Sequence, residues 1–94
     1  MIVRVLGEGQ WRVADEHVDL LNSLDAALES AVSAGDEGAY HRALADLLAK
    51  IRAVGEALPD DELVESDAIL PPADADLAEV AAMLAESSQG LIPG

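Results

Sequence analysis

Two apolar stripes at helical spacing, separated only by the Ala34-Gly35-Asp36 junction, constrain the fold of this chain more than any other feature. The first stripe is Val18, Leu21, Leu24, Leu28, Ala31 and Val32; the second is Tyr40, Leu44, Leu47, Leu48, Ile51 and Val54. Apolar residues recurring every three to four positions mark one face of an α-helix. Asp15 is the expected cap of the first helix, with Glu16 in the first turn where the helix dipole favours an anion. Gly35 suits the left-handed residue that ends a helix, and Asp36 suits the cap of the next. The spacing therefore predicts helices to about Ala34 and from Asp36 to about Glu56, each about 30 Å long at ~1.5 Å per residue. So short a link forces them antiparallel.

The flanks of this hairpin read differently. Ile2, Val3, Val5 and Leu6 form a short β-branched run closed by Gly7-Glu8-Gly9, and Gln10–Val13 reads as a second strand pairing back on it. Two strands alone are marginal in water, so this pair must pack on the helices or extend a sheet elsewhere, another copy of the chain included. After Leu58 the character changes. Pro59 with Asp60-Asp61-Glu62 marks a turn, and Ile69-Leu70 before Pro71-Pro72 reads as extended, because a residue preceding proline is pushed out of the helical region. Asp74 or Asp76 caps a third helix at about 74–86, Asp76 and Glu79 having capping-box spacing, with Leu77, Val80, Ala81 and Leu84 as its stripe. The expected fold is α+β in a single small domain, 1–94. It comprises a β-hairpin at 1–13, a helical hairpin at 15–57, and an acidic, proline-marked arm at 58–94 carrying the short helix.

Charge excludes several functions. The 94 residues carry a formal charge of −14, and after Arg52 no Lys or Arg follows, although ten carboxylates do. A phosphate-binding surface needs bases to release condensed counterions, so nucleic acid is a poor partner. An anionic leaflet contributes roughly 1 kcal/mol per nearby base, and this half offers none. What survives is protein binding, regulation, or an acid surface kept for solubility; acidity of this kind also suits a salt-adapted or high-GC proteome. There are no cysteines, which removes disulfides, thiolate zinc sites and cysteine nucleophiles. No apolar run approaches the ~20 residues needed to span a bilayer, and the N-terminus reaches Gly7 too soon for a signal sequence. A cytoplasmic protein without direct membrane insertion is expected.

No motif carries chemistry. Gly7-Glu8-Gly9 has Arg12 where the dinucleotide fingerprint needs a third small residue, so it reads as a turn. Asp60-Asp61-Glu62 with Glu65 and Asp67 could collect a hard cation, but their spacing lacks the glycine and distal acid of a calcium loop. His17 and His41 fall at opposite ends of an antiparallel hairpin, which disfavours a shared metal. No catalytic residue, cofactor or metal is expected. Trp11 either fills the gap between hairpin and helices or presents an anchor to a partner. Leu91 and Ile92 either pack back on the core or stay free as a docking peptide. The candidate partner interface is therefore Trp11, Asp60, Asp61, Glu62, Glu65, Asp67, Leu91 and Ile92.

Taken together, Met1-Ile2-Val3-Arg4-Val5-Leu6-Gly7-Glu8-Gly9-Gln10, Leu58-Pro59-Asp60-Asp61-Glu62-Leu63, Ile69-Leu70-Pro71-Pro72-Ala73-Asp74-Ala75 and Gly90-Leu91-Ile92-Pro93-Gly94 resemble the small PspA-associated family, often called PspAA. The resemblance implies a bacterial or archaeal cytoplasmic protein encoded beside phage shock protein A, a membrane-remodelling polymer related to the ESCRT-III proteins and used in envelope stress. It carries over no catalytic residue. The first expectation is thus a non-enzymatic adaptor or regulator of a phage shock protein A-like partner, recruited to the inner face of the membrane through that partner. The second is a self-assembling module, a homodimer joined through strand edges and helices.

Overall fold

A computed structural model describes residues 1–59 and 64–85 of the chain. The elements are β1 (Ile2–Val5), β2 (Gly9–Arg12), α1 (Val18–Ala34), α2 (Glu37–Val54), β3 (Glu56–Ala57), β4 (Ala68–Leu70) and α3 (Leu77–Ala85), with one 3₁₀ turn at Asp15–His17 before α1. The expected α+β class, with its N-terminal strand pair, long helical pair and short C-terminal helix, is the one adopted.

The strand pair forms for local reasons. The Glu8 N–H donates to Val5 O at 3.0 Å, closing a four-residue turn with Gly7 in third place at φ 85°. A positive φ there disfavours any residue with a Cβ. β1 and β2 then pair antiparallel, Val3 opposite Trp11 and Val5 opposite Gly9, and Met1 and Val13 exchange two backbone hydrogen bonds of 2.8 Å at the open end.

The sheet extends past this pair, in the order β3-β2-β1-β4. β3 lies antiparallel on β2, with Trp11 opposite Ala57, and β4 lies parallel on β1, with Val3 opposite Ala68 and Val5 opposite Leu70. The edges that the sequence left open to another copy are therefore occupied by the same chain. The segment expected as an arm supplies a strand, because Pro71 holds Leu70 extended and the alternation suits a one-sided sheet. Ala68 and Leu70 are buried, while Ile69 between them faces out.

α1 and α2 cover the inner face. Leu21, Leu28 and Ala31 from α1 meet Tyr40, Leu44, Leu47, Leu48 and Ile51 from α2, above Val3, Val5, Ala68 and Leu70. Gly35 at φ 67° ends α1, and Asp36 Oδ1 accepts the Ala39 N–H at 3.0 Å to begin α2, both as expected. Asp15 behaves differently from expectation. It makes no cap hydrogen bond and opens the 3₁₀ turn, so α1 starts only at Val18. There the His17 N–H donates to Ala14 O at 3.0 Å; the tighter turn pairs a backbone donor that a capping carboxylate would otherwise have met. α3 packs on α1 with Val80 buried, and of its two candidate caps Asp76 serves, its Oδ1 accepting the Glu79 N–H at 2.8 Å.

Two side chains tie the layers. The buried Tyr40 hydroxyl donates to Ala75 O at 2.5 Å, fixing the approach to α3 on the first turn of α2. At the other end of α2, Arg52 grips Glu8 in the β1–β2 turn through Nε–Oε1 and Nη2–Oε2 at 2.9 and 2.5 Å.

Candidate protein-binding surfaces

β3 and β4 lie at opposite edges of the sheet, and residues 64–67, which lead into β4, run over the outer face. Arg4 alternates with the buried Val3 and Val5, and Gln10 stands opposite Arg4, so both side chains point away from the helices. Gln10 Nε2 donates to Val64 O at 3.1 Å and to Ser66 Oγ at 2.8 Å, and Arg4 Nε donates to Ser66 Oγ at 3.3 Å. Asp67 completes the attachment: its Oδ2 accepts the Ile2 N–H, and its own N–H donates to Ile2 O, both at 2.8 Å.

This placement separates the residues singled out from the sequence. Asp67 is engaged with the backbone of β1, whereas Glu65 is exposed. Trp11 is half-buried on the inner face, opposite Val3, and packs tightly on Gly55; a Cβ added at Gly55 would come within 3.0 Å of Trp11 Cβ. It packs against the core between sheet and helices while staying partly exposed. Asp60, Asp61, Glu62, Leu91 and Ile92 lie outside the described residues.

The structure adds apolar positions that sequence reasoning did not select. Leu6 and Ile69 are 40% and 48% exposed. Ile69 stands opposite Arg4, and the Leu6 N–H donates to Leu70 O at 3.0 Å, so the two lie on adjoining strands. The signal was the phase of the strand, since Leu6 falls out of step with the inward Val3 and Val5. On the opposite side of the molecule Leu20 is 42% exposed. It lines a shallow groove of about 440 Å³ with Leu24, Asp46, Ala49, Lys50 and Ala53. Leu20 directly precedes the buried Leu21, and neighbouring residues cannot share one helical face.

Titratable groups show a structural pattern. Burial, then the charges of Asp76 and Glu79, raise the Tyr40 pKa, and the hydrogen bonding that Arg52 donates to the Glu8 carboxylate raises that of Arg52. Among the described residues no group of three or more His, Cys, Asp or Glu is placed to hold a metal ion, and no helix is long and apolar enough to cross a membrane. The one buried carboxylate described is Asp25 on α1.

A family model described as PspA-Associated protein matches the chain over residues 1–94. No curated protein and no solved structure matches it.

Proposed function

Given that the chain belongs to the PspA-associated protein family, we propose that it is a non-enzymatic adaptor or regulator of a phage shock protein A-like polymer in the envelope stress response. It acts in the cytoplasm and reaches the inner face of the membrane through that partner. The match over the whole of residues 1–94 is the observation that carries this reading.

The outer face of the sheet suits such a partner best. Leu6 and Ile69 offer an exposed apolar contact, and Glu65 is an exposed acid of the segment 64–67 that lies over the same face. A helix with an apolar stripe bordered by Lys or Arg complements that surface: the acids speed and orient encounter, and the apolar contact sets lifetime. Because Gln10, Arg4 and Ile2 already pin residues 64–67, binding needs little ordering there.

Co-purification of the tagged chain from cells at low and high salt tests the reading. The phage shock protein A-like protein should be enriched at both, less so at high salt. Its absence at both overturns the adaptor role. A Leu6→Asp/Ile69→Asp variant that keeps its circular dichroism should lose the partner; full retention would move the binding site elsewhere.

A further inference from the structure

We propose that the groove on the helical hairpin is a self-association interface, in which α2 of one copy packs antiparallel on α2 of a second about a twofold axis. The groove has one wall of Leu20 and Leu24, one turn apart on α1, and another of Asp46, Ala49, Lys50 and Ala53 on α2. The α2 positions follow at i, i+3, i+4 and i+7, a single stripe suited to receiving another helix. Ala49 and Ala53 leave room for close approach, and Leu20, exposed in one copy, gains cover from the α2 of the other.

Charge identifies the occupant. Asp46 and Lys50 have opposite signs and stand one turn apart, in the order that favours an ion pair within a helix. Among the described residues neither is in an ion pair. A twofold axis makes residue i meet residue j wherever j meets i. With that axis crossing the groove face at the height of position 48 along α2, midway between them, Asp46 of each copy meets Lys50 of the other, and the same pair forms twice. A second copy of this chain satisfies the groove without any further requirement on sequence. The charge of −14 on each copy opposes association, but at physiological salt charges beyond ~8 Å are screened, leaving the local pairs and the apolar seam to decide. Strand edges serve less well: β3 has two residues, and β4 has three and runs directly into Pro71-Pro72.

Sedimentation equilibrium of the full chain across a dilution series at about 0.15 M salt tests the proposal, with circular dichroism confirming that each variant is folded. The chain should dimerise reversibly. Asp46→Lys and Lys50→Asp should each weaken the dimer at least about tenfold. Mixing the two variants should restore it, since each supplies the charges the other lacks. A chain that is monomeric at every concentration overturns the proposal, whether or not the groove then accepts an amphipathic helical peptide. So do variants that dimerise like the parent, or a mixture that fails to recover. The adaptor reading stands or falls separately, on co-purification.

Discussion

Tyr40 holds together parts of the chain that are far apart in sequence, and it does so with a single hydroxyl. Removing it in Tyr40→Phe leaves the Ala75 carbonyl without its 2.5 Å donor inside the protein, and urea denaturation should show a loss of about 1–3 kcal/mol. The pH dependence follows from the raised pKa. Its ordinary value is 10.0, and burial with Asp76 and Glu79 lifts it, so the unfolded chain gives up this proton first as pH rises. The stability held by neutral Tyr40 is complete below about pH 10 and falls as pH climbs through the folded value. Melts of Tyr40→Phe should lack that alkaline component. Gly55 is constrained by space rather than by φ: a Cβ there would lie 2.6 Å from Ile51 O and 3.0 Å from Trp11 Cβ. Gly55→Ala should therefore cost about 1–3 kcal/mol in the same assay, as forced overpacking does. Residues acting on their own neighbours in sequence were the readable ones. Asp36 and Asp76 cap as their spacing implies, whereas Asp15 does not, because the pairing of Met1 with Val13 and the turn that follows set the entry to α1.

The helices were legible because their periodicity is a property of the element itself. The two apolar stripes give α1 and α2 to within a few residues, and Gly35 marks their junction. β3 and β4 were not legible as strands, since two and three residues carry no usable period and their partners lie far off in sequence. Ile69-Leu70 showed only that it is extended; its place beside β1 depends on contacts that no local pattern records. The same reason hides both candidate surfaces. Leu6 and Ile69 come together only through the β1–β4 pairing, and Leu20 meets Ala49 and Ala53 only once the helices pack. If β4 is integral to the core, Leu70→Ala should destabilise the protein by about 2–5 kcal/mol, as truncation of a buried leucine does; an effect near zero in denaturant titration would mean that the segment is dispensable. The Arg52–Glu8 clasp is bidentate but partly exposed. A double-mutant cycle should assign it no more than about 1 kcal/mol, declining as salt is added.

At the scale of the whole molecule, a charge of −14 on 94 residues sets repulsion against compaction, so added salt should raise the melting temperature. A melting temperature that is flat or falls between low and moderate salt would show that the acids are already neutralised in pairs. The sheet order has a further consequence, one of timing. β1 is made first, yet its second neighbour in the sheet is reached only across a separation of 65 residues, as between Ile2 and Asp67. Two units between can assemble earlier from nearby contacts: the strand pair closes on its own turn, and the helical hairpin closes on Gly35. Pairings of such long range form slowly, because the loop must be closed before any contact repays it. As the chain emerges during synthesis, the β4-facing edge of β1 thus stays open until residues 68–70 arrive. A strand edge left waiting is a template for the wrong neighbour, so a chain interrupted before Ala68 should aggregate even with both long helices intact.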